Sequence, residues 1–240
     1  MFTPVMSNSP AKPRSQAFHK GLTRLPVLTR RRKITRCVLH GLARFLVAIL
    51  TDVEVSGLEN LPRRGPAMVV ANHLGDADVV VGLAFVPFEI EAVAKVELYE
   101  LPILGFLMDA FGVIWVHRGQ PDRLAIRSVL EGLQEGRVIY IAPEGRESVT
   151  GSLEEGTEGA AYLALKSGVP LIPMTFTGTE NKRVFANLKR LRRSKISLTI
   201  GLPFKLEPGP DWRDSVQAGT QAIMKRLAAQ LPIEYRGVYK

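Results

Sequence analysis

The chain of 240 residues is long enough to fold into one sizeable α/β domain with a short appendage. Its single cysteine, Cys37, excludes an internal disulfide bond, and no Cys/His cluster has metal-ligand spacing, so we expect no metal site. The formal net charge of +9 is concentrated near the N-terminus: residues 1–51 contain ten basic and no acidic residues, whereas the remainder contains 22 basic and 23 acidic residues. This distribution predicts that the N-terminal segment contacts an acidic surface, either anionic lipid or nucleic acid.

The N-terminal segment divides into two parts. Residues 1–33 predict a disordered basic tail, because prolines alternate with Ser, Thr, Lys and Arg and no long apolar core of a secretory signal is present. Residues 34–51 predict an amphipathic helix, with Arg36, His40 and Arg44 along the side opposite the apolar residues. This stretch is too short and too basic to span a bilayer, so we expect a membrane-anchoring helix in the interface, its basic groups towards lipid phosphates. A helix that packs on its own domain is the alternative.

From residue 52 onwards, predicted strands and helices alternate, which is typical of an α/β fold. Several strands are continuous apolar runs, as expected where helices cover both faces of a sheet. We therefore predict a mixed, largely parallel seven-stranded sheet flanked by helices. The predicted strands are Asp52–Val55, Ala67–Ala71, Glu91–Val96, Gly112–Val116, Val138–Ala142, Leu171–Phe176 and Ile196–Ile200. The predicted helices are Asp78–Leu83, Leu101–Ala110, Arg123–Glu135, Gly159–Lys166 and Trp212–Leu231.

A histidine and an aspartate five positions apart, His73 and Asp78, follow the apolar run Ala67–Ala71. A neutral imidazole can take a proton from a hydroxyl, and a nearby carboxylate can hold the ring in the required tautomer and stabilise the imidazolium. Because no neighbouring Ser or Cys completes a nucleophilic triad, the pair predicts direct attack by a substrate hydroxyl. A histidine that only hydrogen-bonds locally is the alternative.

Two further predicted strand ends carry candidate substrate-binding residues. Arg118 follows the strand Gly112–Val116, and its planar guanidinium suits a phosphate or a carboxylate. Glu144, Gly145 and Arg146 follow the next strand, in a Pro-Gly turn whose backbone can approach a ligand closely. A surface arginine and an ordinary exposed turn with an internal ion pair are the alternatives.

Four segments in this order resemble the glycerolipid acyltransferase family, which includes the glycerol-3-phosphate and 1-acyl-glycerol-3-phosphate O-acyltransferases. They are His73–Asp78, the stretch AKVELYELPILGFLMDAFGVIWVHR that ends on Arg118, APEG at 142–145, and VPLIPM at 169–174. The resemblance implies an acyltransferase domain over residues 52–240, with His73 as general base and Asp78 orienting it. It also implies that Arg118 and the turn at Glu144, Gly145 and Arg146 bind the acceptor. The acyl donor would be acyl-CoA or acyl carrier protein, without a further cofactor.

The chain departs from the family pattern in its third segment. That segment usually continues Glu-Gly-Thr-Arg-Ser, but here it reads Glu144-Gly145-Arg146-Glu147-Ser148, so the arginine comes one position early. The following stretch carries glutamates where the family commonly has a lysine. Glutamates near a phosphate site would repel the dianion. A lysophospholipid with a glycerol phosphate head remains the expected acceptor, and a neutral or cationic one is the alternative.

Two other functions are compatible with the composition. One is a non-catalytic lipid-binding protein on the same scaffold, against which the intact pair of His73 and Asp78 argues. The other is nucleic-acid binding through the basic tail, but the aromatic residues are not interleaved with basic ones and no binding motif occurs.

For location, we expect peripheral attachment to the cytoplasmic face of the cell membrane. A basic cluster after the fourth segment could be solvated surface, or could meet lipid headgroups or acyl carrier protein: Lys182, Arg183, Lys189, Arg190, Arg192, Arg193 and Lys195.

Overall fold

The computed structural model describes residues 21–62, 64–86, 89–117 and 122–240, in which strands and helices alternate from residue 51 onwards. The strands are β1 (Thr51–Ser56), β2 (Ala67–Ala71), β3 (Ile90–Lys95), β4 (Ile114–Val116), β5 (Val138–Ile141), β6 (Leu171–Thr177) and β7 (Ser194–Ile200). The helices are α1 (Arg30–Leu50), α2 (Asp76–Phe85), α3 (Pro102–Phe111), α4 (Arg123–Gln134), α5 (Glu158–Ser167), α6 (Asn181–Lys189) and α7 (Trp212–Gln230). Most of the predicted basic tail, residues 1–20, lies outside the described residues.

The seven strands form one sheet in the order β1-β7-β6-β2-β5-β3-β4. All neighbouring pairs are parallel except β6 and β7, which are antiparallel. The predicted mixed, largely parallel seven-stranded sheet is therefore confirmed. The predicted strands lie within a few residues of the observed ones, but α6 was not predicted as a helix. Because β2 lies at the centre of the sheet, its C-terminal end places whatever follows at the middle of the sheet edge.

Helices cover both faces of the sheet, which explains why β2 is a run of five fully buried apolar residues. Successive side chains of a strand point to opposite faces, so Met68 and Val70 belong to one core and Val69 to the other. The first core also contains residues of α4, α5 and α7, and the second contains residues of α1 and α2. The helix α2, which follows β2, therefore lies on the same side as α1.

The first helix begins at Arg30, four residues before the predicted start, and Thr29 caps it by accepting a hydrogen bond from the backbone N–H of Arg32. Its orientation differs from the prediction. Arg36 does not face outwards but is buried, and its guanidinium donates to both carboxylate oxygens of Glu91 on β3, at 3.2 and 2.6 Å. Arg36 also donates to the backbone carbonyls of Phe111 and Gly112. A charge can remain buried only with such partners, so this contact determines which side of α1 faces the protein.

The apolar side of α1 consequently faces outwards, next to α3, against which α1 packs. Phe45 on α1 is 61% exposed and Phe106 on α3 is 71% exposed. We call this outer face the α1–α3 apolar surface; it comprises Ile34, Val38, Leu42, Phe45, Leu46 and Ile49 with Leu101, Ile103, Leu104, Phe106 and Leu107. Exposed apolar side chains on two helices in contact are characteristic of interaction sites on folded proteins. Within the described ranges, no helix has the length and hydropathy needed to cross a membrane.

Candidate active site

The C-terminal end of β2 positions the first candidate residue. Asn72, directly after the strand, is fully buried, and its side chain accepts from the N–H of Phe176 and donates to the same residue's carbonyl, at 2.8 and 3.0 Å. This pair continues the contact between β2 and β6 by one residue and fixes the chain just before His73. The sequence interpretation gave Asn72 no role; its only signal is a polar amide directly after an apolar strand.

The turn into α2 then brings Asp78 back to His73. Gly75 is required here because a β-carbon would lie 2.6 Å from the backbone oxygen of Thr179 and 2.8 Å from Oδ1 of Asn181. Asp78 lies in the first turn of α2, and its Oδ2 accepts the backbone N–H groups of Leu74 and Gly75, at 2.6 and 3.1 Å. The N-terminal end of a helix favours a negative charge, so this position stabilises a carboxylate.

The two predicted catalytic side chains are in contact: Nδ1 of His73 lies 3.0 Å from Oδ2 of Asp78. Asp78 is fully buried, whereas the side chain of His73 is 26% exposed and can be reached from outside. With Asp78 ionised, Nδ1 carries the proton of the neutral ring, and the Nδ1–H group donates a hydrogen bond to Oδ2. Nε2 is then the basic nitrogen. The arrangement is that of an oriented general base.

The electrostatic surroundings shift the pKa of His73. Burial of the ring acts to lower this pKa, but the hydrogen bond and charge of Asp78, together with the charges of Glu147 and Asp76, outweigh burial and raise it above 6.5. A stronger base results, which is protonated over a wider pH range. Two of these three carboxylates, Asp76 and Glu147, were not among the predicted site residues.

The turn after β5 lies directly beside this pair. The backbone N–H of Ser148 donates to the carbonyl of His73 at 2.7 Å, and the backbone N–H of His73 donates to the carboxylate of Glu144. Gly145 has φ +70°, a left-handed conformation that suits glycine. Burial raises the pKa of Glu144 to about 7, although the hydrogen bonds from His73 and Glu154 oppose this. Glu144 and Ser148 therefore hold the backbone of His73, which places the third segment in contact with the first.

Arg146 is paired with an acidic residue of its own chain. Its guanidinium donates to Oε2 of Glu154 at 2.6 Å, and the other oxygen of Glu154 accepts the backbone N–H groups of Val149 and Thr150. The alternative interpretation of this turn was an ion pair within it, but the observed partner of Arg146, Glu154, lies eight positions further along the chain. Arg118, the other predicted cationic group, lies outside the described residues.

Asn181, at the start of α6, is a further residue that the sequence interpretation missed. Its Oδ1 accepts the backbone N–H of Asp76 at 3.1 Å, and its Nδ2 donates to Oε1 of Glu147 at 2.9 Å. The side chain therefore links α2, α6 and the turn after β5 around His73. No local pattern signals this role, because the contacts join residues more than thirty positions apart.

A second histidine and aspartate five positions apart, His117 and Asp122, show the same 3.0 Å contact. Here, however, the aspartate is the N-cap of α4 and accepts the backbone N–H groups of Leu124 and Ala125. The histidine is also more buried than His73. The spacing alone therefore does not define the site; the sequence interpretation assigned no role to His117.

An apolar cavity of about 240 Å³ opens next to Asp78, between the sheet and helices α1, α2 and α3. Its lining is almost entirely aliphatic and aromatic, with Asp78 and Tyr140 as the acidic and phenolic groups: the α1 residues are Leu39, Leu42, Ala43 and Leu46, and the α3 residues are Leu104, Leu107, Met108 and Phe111. In the described parts of the chain, no group of three or more His, Cys, Asp or Glu side chains is arranged to hold a metal ion.

The comparisons with known proteins agree with this geometry. The family model described as Acyltransferase matches residues 52–177, so the chain belongs to the acyltransferase family, as the four segments predicted. It is 30% identical over 152 residues to the chloroplastic 1-acyl-sn-glycerol-3-phosphate acyltransferase LPAT1 of Arabidopsis thaliana, a match covering 62% of this chain and 42% of that protein. It is 28% identical over 190 residues to the 1-acyl-sn-glycerol-3-phosphate acyltransferase of Bacillus subtilis, covering 76% of this chain and 89% of that protein.

The fold is also shared with a solved structure. The 1-acyl-sn-glycerophosphate acyltransferase PlsC of Thermotoga maritima superposes with a TM-score of 0.59 at 23% identity, over 84% of each chain. The chain spans about half the length, or less, of the first three curated relatives: 42%, 44% and 52%.

Proposed function

We propose that the protein is an O-acyltransferase that moves a fatty acyl group from an acyl thioester to the free hydroxyl of 1-acyl-glycerol-3-phosphate, which yields phosphatidic acid. The observation that carries this proposal is the contact between His73 and Asp78, beside an apolar cavity that Asp78 lines. Membership of the acyltransferase family and the names of the relatives support the reaction and the acceptor.

In the proposed reaction, Nε2 of His73 takes the proton of the acceptor hydroxyl while the oxygen attacks the thioester carbonyl. Asp78 stabilises the resulting imidazolium through Nδ1. The tetrahedral intermediate then collapses: the carbon–sulfur bond breaks, and the thiolate leaves with the proton that His73 holds. The products are the new ester and the free thiol of coenzyme A or of the carrier protein. No acyl-enzyme intermediate is required, since the hydroxyl attacks directly.

The apolar cavity is the proposed site of the fatty acyl chain. Leu42, Leu46, Leu104 and Leu107 belong both to the cavity lining and to the α1–α3 apolar surface, and Asp78, the partner of His73, also lines the cavity. Relative to exposure to water, burial of each methylene group there is favourable by about 0.8 kcal/mol. For the acceptor, we propose that Arg118 and the turn at Glu144–Arg146 bind its head group.

Acyl transfer with a panel of acceptors tests the reaction. Purified protein given acyl-CoA and 1-acyl-glycerol-3-phosphate should release free CoA thiol, and lysophosphatidylcholine should be a poorer acceptor. His73→Ala should reduce the rate at least about 100-fold, because general acid–base catalysis contributes 10²–10⁴-fold, whereas His40→Ala on α1 should not. If the protein binds these lipids but releases no thiol, it is a lipid-binding protein rather than an enzyme. Equal rates for His73→Ala and the unchanged chain would contradict the assigned base.

We also propose that the protein attaches peripherally to the cytoplasmic face of the cell membrane through the α1–α3 apolar surface. Exposed aromatic and aliphatic side chains on neighbouring helices can insert into the interfacial region of a bilayer. Deletion of residues 1–50 is unsuitable as a test, because Arg36, Ala43 and Val47 of α1 are buried in the protein.

Substitutions on the outer face avoid that difficulty. Phe45→Ser with Phe106→Ser should weaken flotation with phospholipid vesicles while leaving the fold intact. Ile233→Ser with Val238→Ser, two similarly exposed apolar residues near the C-terminus, is the matched control and should have no effect. Equal loss in both double variants would argue against a specific attachment surface.

A further inference from the structure

Helix α6 carries an outer face that combines basic and apolar side chains beside the active site. We call this face the α6 basic surface; it comprises Lys182, Arg183, Lys189, Arg190 and Arg192 with Phe185, Leu188 and Leu191, all of them exposed. None of its five cations forms an ion pair with any described residue. The surface therefore offers uncompensated positive charge together with exposed apolar groups.

Three residues of this surface are aligned along one side of the helix. Lys182, Phe185 and Lys189 are three and four positions apart, so they lie along one side of α6 with the aromatic ring between two cations. Long basic side chains can extend past a neighbouring apolar group to reach phosphates while the apolar group enters the interface. This combination fits the boundary of an anionic bilayer better than it fits water alone.

The end of α6 provides an independent observation. The N–H of Leu191 donates to the carbonyl of Leu188, and the N–H of Arg192 donates to that of Asn187, which is the Schellman arrangement of a helix C-terminus. In this arrangement Leu191 occupies the position that glycine usually takes, with φ +50°, and its side chain is 94% exposed between two arginines. A leucine in this unfavourable backbone conformation with an exposed side chain adds little to packing inside the protein, so its side chain is free to contact a partner outside it.

The position of α6 in the fold is the third part of the argument. At its start, Asn181 contacts the first turn of α2 and Glu147 beside His73. After its end, Arg193 donates to the backbone carbonyls of Ala48 and Thr51, at the C-terminal end of α1. The α6 basic surface is thus linked to the end of the helix that carries the α1–α3 apolar surface.

We infer that the α6 basic surface is a second membrane contact, which binds anionic phospholipid headgroups and inserts Leu191 and Phe185 at the bilayer boundary. This inference rests on the proposed membrane attachment and adds a selectivity to it: the residues of the α1–α3 apolar surface carry no charge, whereas the α6 basic surface carries five cations. It would also place the active site next to membrane regions rich in anionic lipid.

Vesicle binding of the full chain tests the inference. The triple variant Lys189→Ala, Arg190→Ala, Arg192→Ala should bind vesicles containing phosphatidylglycerol roughly 100-fold more weakly, or roughly fivefold for each cation removed. Its binding to vesicles of phosphatidylcholine alone should not change. The matched control is Lys205→Ala, Arg213→Ala, Lys225→Ala, which removes the same charge from exposed positions in and near α7 and should have little effect.

Leu191→Gly gives a second readout that loss of folding cannot imitate. Glycine relieves the left-handed conformation, so the Tm should rise, while binding to anionic vesicles should weaken. A rise in Tm with unchanged vesicle binding would contradict the role of this side chain.

Four outcomes would overturn the inference. Equal loss of binding in the two triple variants would show a general effect of net charge. Unchanged vesicle binding, with lost transfer from acyl carrier protein but not from acyl-CoA, would show that the surface docks the acidic carrier instead. If the α6 triple variant still prefers phosphatidylglycerol vesicles to phosphatidylcholine vesicles as strongly as the unchanged chain does, only the α6 contact is contradicted. If the unchanged chain binds no vesicle at all, the proposed membrane attachment is contradicted as well. Acyl transfer to detergent-dispersed acceptor tests the proposed reaction separately from all of these.

Discussion

The side chain of Asn181 donates a hydrogen bond of 2.9 Å to the carboxylate of Glu147 and so holds a negative charge near His73. Glu147 stands where an arginine is common in the family, and here it accepts this hydrogen bond from Asn181. That charge helps to raise the pKa of His73. The departure from the family pattern therefore has an electrostatic consequence that can be measured.

Glu147→Gln should shift the acid limb of the pH profile of kcat/KM to lower pH. The carboxamide oxygen can still accept the hydrogen bond from Asn181, but the charge that favours the imidazolium is gone, so the pKa of His73 falls. Measurement of kcat/KM between pH 5 and 9, a range of about four pH units around the usual histidine pKa, checks this. Glu158→Gln, an exposed carboxylate that does not act on His73, is the control. An unshifted limb would mean that another group titrates in the profile.

Glu144→Gln should change the dependence of stability on pH. The pKa of Glu144 is raised from 4.5 to about 7 in the folded protein, so its contribution to stability is fully present below pH 4.5 and is lost as the pH rises to about 7. The difference corresponds to about 3 kcal/mol, which the glutamine variant should not lose.

Urea unfolding of both proteins at pH 5 and pH 8, values on either side of about 7, measures this difference. His73 titrates in both proteins, so its contribution largely cancels in the comparison. Parallel pH dependences for the two proteins would show that Glu144 has an ordinary pKa.

Arg36→Met should lower the free energy of unfolding by about 3 kcal/mol, because removal of one partner leaves Glu91 buried with an incomplete set of partners. Arg137 still contacts Glu91 at 3.0 Å, which limits the loss. Arg31→Met, an exposed residue on the same helix, should leave stability within about 0.5 kcal/mol. Thermal unfolding compares the two, and equal Tm values would contradict the structural role of the ion pair.

Tyr140→Phe should leave stability unchanged or raise it by about 1 kcal/mol, since the buried hydroxyl of Tyr140 has no hydrogen-bond partner among the described residues. Tyr235→Phe is the matched comparison, because the hydroxyl of Tyr235 donates to Glu180 at 2.7 Å and its loss should cost about 1 kcal/mol. A destabilised Tyr140→Phe variant would indicate that the hydroxyl is paired, for instance through water in the cavity.

The sheet and the contact between His73 and Asp78 could be predicted from the sequence because their signals are local. Apolar runs bounded by turns identified the seven strands, and five positions between His73 and Asp78 place the aspartate in the first turn of the next helix. Helix α6 could not be predicted in this way: it contains mainly Lys, Arg and Asn, and no residue of it is fully buried, so its sequence has the composition of a solvated segment.

The orientation of α1 also could not be predicted, since its partner is distant in the chain. Arg36 meets Glu91 across 55 positions, and nothing near Arg36 distinguishes it from the exposed Arg31. The periodicity of α1 correctly showed one apolar side, but which side faces the protein depends on a charge in β3. The same reason explains why Asn181 was missed as a residue of the site.

The buried ion pair between Arg36 and Glu91 also restricts motion. Separating α1 from the sheet would leave a carboxylate in the interior beside Arg137 alone, so α1 and the sheet rotate and translate as one rigid unit. Whatever surface holds the outer side of α1 therefore fixes the height and tilt of His73 above it. The distance from the imidazole to a substrate hydroxyl is then set by the fixed geometry of the sheet and α1 rather than by a movement of one relative to the other.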